Sequence, residues 1–195
     1  MKKLFFASLL LVSANLVAQQ FQFGLKAGVN VSNFSGAKDV DQLEHSALVG
    51  FHGGAFLSFL IGDHFAIQPE ALFSTQGAKV KYINDERDFK VSYLNLPIMA
   101  KFRFKGGFYL EAGPQAGFKL SEDVKNTPVK DFANDVDLSL AAGLGYHSPI
   151  GLGFGARYSA GLSKVGDFEY GTTKPDYRNS NIQVFIFYAF LNNKK

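Results

Sequence analysis

The amino-acid sequence predicts an all-β fold, an antiparallel up-and-down transmembrane β-barrel of about eight strands. Three observations carry that reading. Apolar residues recur at every second position in eight segments, and successive side chains of a strand point to opposite faces. The connections alternate between tight turns and long polar stretches, as outer-membrane barrels require. The alternate face carries Lys26, Glu70, Lys101, Arg103, Glu111, Lys119 and Arg157 among many glycines, charges that a dry core would not tolerate.

The N-terminus is set apart before the strands are read. Lys2 and Lys3 precede an apolar run from Leu4 to Val12, and Ser13, Ala14 and Ala18 follow. That order is the secretory signal pattern, and its core is too short to anchor the chain in a bilayer. Residues 1–18 are therefore expected to be a signal peptide, with 19–195 the barrel domain. Leu16 fits the small-residue rule poorly, which leaves cleavage after Ala14 as the competing site. The other reading, a buried N-terminal helix, does not account for the charged-then-apolar order.

In the first strand Phe23, Leu25, Ala27, Val29 and Val31 alternate with Gly24, Lys26, Gly28, Asn30 and Ser32. The second is expected from Leu48 to Ile61. The third runs from His64 to Gly77, with Phe65, Ile67, Ala71 and Phe73 opposite Gln68, Glu70, Ser74 and Gln76. The fourth, Val91 to Phe104, sets Leu94, Leu96, Ile98, Ala100 and Phe102 against Asn95, Lys101 and Arg103. The fifth, Phe108 to Leu120, sets Leu110, Ala112, Ala116 and Phe118 against Glu111, Gln115 and Lys119. The sixth spans Asp137 to His147, the seventh Gly151 to Ser163 and the eighth Asn181 to Phe190. In the last, Ile182, Val184, Ile186 and Tyr188 oppose Gln183, Phe185 and Phe187, so its second face is not polar.

Gly62-Asp63, Lys105-Gly106-Gly107 and Ser148-Pro149-Ile150 have the residues of tight turns. Between them lie the long polar segments Ser35–Ala47, Ala78–Lys90, Ser121–Val136 and Lys164–Ser180. Short turns are expected on the periplasmic side and long loops outside. A soluble lipocalin-like barrel would also alternate, but it needs its apolar face inside. Here the charges would then be buried dry.

Composition narrows the chemistry. The 195-residue chain has no cysteine, which excludes a disulfide framework, a thiolate metal site, a cysteine nucleophile and a lipoprotein anchor. Its net charge is +3 from 20 basic and 17 acidic residues. Without Lys2 and Lys3 the balance is 18 to 17, or +1, and no basic tract points to nucleic acid. Phe and Tyr number 21 and 8, yet the richest apolar runs after the signal, Ala55–Ile61 and Phe185–Leu191, are strand-length and too short for a membrane helix.

Three blocks carry a resemblance. They are Phe23-Gly24-Leu25-Lys26-Ala27-Gly28-Val29-Asn30, Ile67-Gln68-Pro69-Glu70-Ala71-Leu72-Phe73-Ser74-Thr75-Gln76-Gly77-Ala78-Lys79, and Tyr93-Leu94-Asn95-Leu96-Pro97-Ile98-Met99-Ala100-Lys101 followed by Tyr109-Leu110-Glu111-Ala112-Gly113-Pro114. Taken in order they resemble the Bacteroidetes outer-membrane β-barrel family labelled porin-like or PorT-like, in the size class of OmpA and OmpX. The resemblance spans essentially the whole mature chain and implies a location in the cell outer membrane. It implies little about activity, because "porin" there describes a shape. Members usually end on an aromatic residue, whereas Phe190 is followed here by Leu191-Asn192-Asn193-Lys194-Lys195.

The search for reactive sites is mostly negative. Gly151-Leu152-Gly153-Phe154-Gly155 lacks the spacing and the following helix of a phosphate loop, and is read as inward glycine making room in a crowded lumen. His52 and His64 lie near one another in sequence without a third ligand, so neither metal nor cofactor is expected. His147-Ser148 is the nearest nucleophile and base pair, as a barrel lipid A deacylase would need, but neighbours on a strand face opposite ways.

The strongest constellation is the inward charge set, with Lys26, Lys101, Arg103, Lys119 and Arg157 facing Glu70 and Glu111. A barrel of about eight strands has an interior that side chains just fill, so these charges are expected to pin the lumen shut. The expected function is a non-enzymatic outer-membrane barrel with a structural or surface-interaction role. The alternatives are a small passive or gated channel, or an accessory to protein secretion across the outer membrane. Expected partners are outer-membrane lipids, lipopolysaccharide, the barrel-assembly machinery and a surface-loop ligand of unknown kind.

Overall fold

The alternation of apolar and polar residues becomes a wall with no edge. In the computed structural model eight strands run in chain order: β1 (Phe21–Ser35), β2 (Glu44–Ile61), β3 (Phe65–Tyr82), β4 (Asp85–Arg103), β5 (Phe108–Val124), β6 (Val136–His147), β7 (Leu152–Gly161) and β8 (Arg178–Ala189). Each pairs antiparallel with its sequence neighbour, and β8 closes on β1. The structure describes residues 21–35, 44–82, 85–124, 134–163 and 178–190, with backbone alone at 34–35, 44–46, 78–82, 85–89 and 124. The expected signal peptide lies outside the described residues.

The faces are inverted relative to a soluble protein. Leu25, Val29, Leu140, Val184 and Ile186 stand exposed on the outer wall, while Lys26, Asn30, Glu70, Glu111, Arg157 and Gln183 are buried inside. β8 follows the same parity, with Phe185 and Phe187 inward and Ile186 and Tyr188 outward. In hydrocarbon every backbone polar group needs an internal partner, and closure of β8 onto β1 removes the open edge that would leave a row of them bare.

Several boundaries differ from expectation, β8 among them, which begins at Arg178 rather than Asn181. The segment from Ala78 to Lys90, expected as a loop, is mostly strand, because β3 continues to Tyr82 and pairs there with Asp85 of β4. Beyond the bilayer both faces of a hairpin are wet, so the apolar alternation that marks a strand fades while the ladder continues. For the same reason β2 begins at Glu44 and β5 ends at Val124. The three short turns are as expected, and Gly62 and Gly151 take the left-handed φ values of 66° and 92° that favour glycine there.

Inward glycines on β1, β6 and β7 face inward rings. A methyl group on Gly24 would strike the Phe56 ring, one on Gly153 the Phe187 ring, and one on Gly155 the Tyr109 hydroxyl and the Phe185 ring. The glycines thus make room in the lumen, and the Gly151–Gly155 run is the end of a turn leading into β7 rather than a phosphate loop.

Three prolines interrupt the ladder at successive seams. Assigned pairing lapses between Phe56–Glu70 and Phe59–Ile67, between Pro69–Ile98 and Leu72–Asn95, and between Pro97–Gln115 and Ala100–Ala112. The register itself does not slip at these points. Antiparallel bonding alternates along a pair. The Arg103 N–H to His64 O and Phe104 N–H to Phe108 O bonds make Pro97 opposite Glu70, and Pro114 opposite Ile98, positions where an N–H should donate. Proline has none, so the Glu70 and Ile98 carbonyls lack their ladder donors. Pro69 stands likewise opposite Leu57.

Candidate functional site: the charged cluster in the lumen

Five of the seven inward charges meet at one level of the lumen. Arg157 of β7 is placed by its register partners Gly143 and Gln183, and its side chain is wholly shielded. Its guanidinium grips Glu70 of β3 in a fork, Nη1 to Oε2 at 3.0 Å and Nη2 to Oε1 at 2.9 Å. It also reaches Glu111 of β5, with Nε donating to Oε1 at 2.8 Å and Nη2 2.6 Å from the same oxygen. A planar guanidinium suits this double engagement where an ammonium would not.

The two lysines complete the cluster. Lys26 of β1 donates to Glu70 Oε1 at 2.7 Å, and Gln68 Nε2 donates to the same oxygen at 2.6 Å. Lys101 of β4 lies 3.3 Å from Glu111 Oε2, its direct register partner. The cations also sit over ring faces: Lys26 lies 4.2 Å from the Phe185 centroid and Lys101 4.2 Å from that of Tyr109. Three cations against two carboxylates leave the cluster net positive by one charge.

Arg103 and Lys119 do not join this group. Arg103 lies on the short-turn side, where it lines a nook with Gln22, Ser58 and Gln68. Lys119 lies toward the long loops, 3.6 Å from Glu122 and 3.3 Å from Asp135.

The lumen differs on the two sides of the cluster. Toward the short turns it is packed with Phe56, Tyr109, Phe185 and Phe187. Toward the long loops it is lined by buried amides and hydroxyls, including Asn30, Ser74, Gln76, Asn95, Asn181 and Gln183. Asp137 is buried there as well and accepts from Ser163 Oγ at 2.9 Å. The sequence reading passed over Asp137 as a lumen residue, although it shares the parity of Ser139.

The arrangement holds little reactive chemistry. Both Glu70 oxygens and both Glu111 oxygens have cationic neighbours, which opposes a role as general base. Ser148 Oγ donates to Leu152 O at 2.7 Å within its turn, and the His147 ring packs 5.1 Å from Phe187. His52 lies in the lumen against Phe185, whereas His64 is exposed and stacks on Phe102. Among the described residues no group of three His, Cys, Asp or Glu is placed to hold a metal ion.

A closed barrel with lipid-facing apolar residues and a charged lumen defines a class, the small outer-membrane β-barrels. The sequence profile of the outer membrane protein beta-barrel domain family matches residues 17–167, and the chain belongs to that family. It is a protein of the outer membrane. Among solved structures it is similar to Neisserial surface protein A (NspA), at 15% identity and a TM-score of 0.57, over 86% of this chain and 97% of that one. It is also similar to the outer membrane protein OprG from Pseudomonas aeruginosa, at 12% identity and a TM-score of 0.52, over 89% and 98% of the two chains. At such identities the likeness speaks for the fold alone. No curated protein matches by sequence.

Proposed function

We propose that this outer-membrane barrel is non-enzymatic and serves the envelope as a structural element or through its long loops, with its lumen held shut. One observation carries the reading: the shielded Arg157 side chain crosses from β7 to carboxylates on both β3 and β5. A solute would have to displace that guanidinium and strand two carboxylates in a low-dielectric interior, which is strongly disfavoured.

In this reading residues 1–18 direct export, the short turns face the periplasm and the long loops face outward. The outer wall meets lipid and lipopolysaccharide after insertion by the barrel-assembly machinery. The three sequence blocks support placement in the porin-like, PorT-like branch known from Bacteroidetes. Planar-bilayer recording of the purified barrel tests the closure, and the expected result is no steady conductance. A large conductance in the unaltered protein would replace this reading with a channel. A secretion defect in a deletion strain would favour a secretion accessory, and release of fatty acid from lipid A would favour a deacylase.

A further inference from the structure

The short-turn side of the lumen holds a feature that the cluster does not use. A nook of about 10 Å³, close to the room one water needs, is lined by Gln22, Ser58, Gln68, Lys101, Arg103, Tyr109 and His147 over the rings of Phe56 and Phe187. No carboxylate is among its lining residues. The half-buried Arg103 guanidinium has no hydrogen bond or ion pair among the described residues. The Tyr109 hydroxyl is buried and has no hydrogen-bond partner among the described residues. Lys101 has three N–H donors and one carboxylate neighbour, Glu111.

Two cations therefore face the nook with no carboxylate in its lining. Buried polar groups are normally satisfied, and a half-buried cation beside apolar rings draws a counter-charge. A water molecule would answer the hydroxyl but not the charge. We propose that the nook binds the oxygen end of a small oxyanion, a carboxylate or a phosphate, presented from the short-turn side. Arg103 is the main ligand, its fork matching two oxygens of such a group. Lys101 contributes long-range attraction, and the Tyr109 hydroxyl donates to the oxygen that enters deepest. The rest of the ligand stays at the mouth. The proposal does not rest on the closed lumen, because the nook opens on one side of the cluster.

The test is nuclear magnetic resonance of the folded barrel in nanodiscs of zwitterionic lipid. Sodium acetate and sodium phosphate are each titrated against sodium chloride at constant ionic strength. The expected result is a saturable shift of the Arg103 Nε–H signal and of the Gln68 side-chain amide. In Arg103→Gln the Gln68 signal should need a roughly tenfold higher anion concentration, the loss expected for one charge-assisted contact. Arg103→Lys should recover part of that loss. Gel migration before and after heating verifies that each variant is folded. Saturation by free acetate or phosphate assigns a soluble anion. The same shift appearing only in nanodiscs containing phosphatidylglycerol assigns a lipid headgroup. Shifts that grow linearly or match those with chloride, in both lipids, overturn the proposal.

Discussion

From β2 to β5 the ladder lapses at three successive seams, whereas from β5 through β8 and round to β2 the pairing runs without a gap. The interrupted wall holds Pro69, Pro97 and Pro114. It also supplies Glu70, Lys101 and Glu111, while the intact wall supplies Arg157 and Lys26. Side-chain ion pairs are thus concentrated where backbone bonds are missing. The cluster ties the wall with fewer ladder bonds to the wall with a full set. The difference suggests a division of labour in which cross-lumen electrostatics replace part of the ladder.

The sharpest way to break that comparison is Arg157→Leu. It leaves two buried carboxylates with one lysine each and removes one of the two links between the walls, with Lys26–Glu70 remaining. Loss of one partner from a buried charge pair costs about 3–5 kcal/mol, so urea titration in lipid vesicles should show a drop of that order. A drop below about 1 kcal/mol would mean that the Arg157 bridge adds little to what the ladder and Lys26–Glu70 already hold.

Arginine on the lipid face probes the same contrast from outside. Ile98 and Leu140 are equally exposed, at 54% each, and lie on the interrupted and intact walls. An arginine near the bilayer midplane costs about 2–4 kcal/mol. Leu140→Arg should show the full cost, and Ile98→Arg somewhat less, because its wall yields more readily. Leu140→Arg folding like the parent would refute the assignment of faces.

A smaller effect is expected from Gly153→Ala, whose added methyl meets the Phe187 ring and the Tyr146 carbonyl oxygen. Overpacking of this kind costs about 1–3 kcal/mol. Phe187→Leu in the same chain should relieve the part owed to the ring, and no relief at all would place the strain at the Tyr146 carbonyl.

Much of this was legible in the sequence. Alternation placed Lys26, Glu70, Lys101, Glu111 and Arg157 on the inner parity, because a period of two leaves only two choices per strand. What alternation lacks is height and reach. Arg103 and Lys119 share the inner parity, yet one lies below the cluster and the other above it. Arg157 meets Glu70 across the lumen between strands that are not neighbours, a contact that no register predicts. The β3–β4 hairpin was hidden because Asp85-Glu86-Arg87-Asp88 is polar at every position and Lys79 and Lys81 add charge on one parity of β3. The prolines were visible, but their effect depends on which neighbour each N–H would have faced, and that needs the pairing.

Pro114→Ala isolates that last point with the smallest disturbance. Pro114 faces outward, so the lumen is untouched, and alanine supplies the N–H that the Ile98 carbonyl lacks. A net hydrogen bond contributes about 0.5–1.5 kcal/mol, and in hydrocarbon no water competes for the carbonyl. Against this, releasing the proline ring loosens the unfolded chain and costs about 0.4–1 kcal/mol. Overall stability should therefore change by less than about 1 kcal/mol. The local effect has no such cancellation, because exchange reads the opening of one seam. In the parent, the Ile98 amide should exchange faster than that of Ala141, which pairs with Gly113 on the intact seam. In Pro114→Ala the Ile98 amide should slow while Ala141 stays unchanged. Equal protection of Ile98 and Ala141 in the parent would show that the interrupted wall is no softer than the other, and the ion pairs would then need a different reason for gathering there.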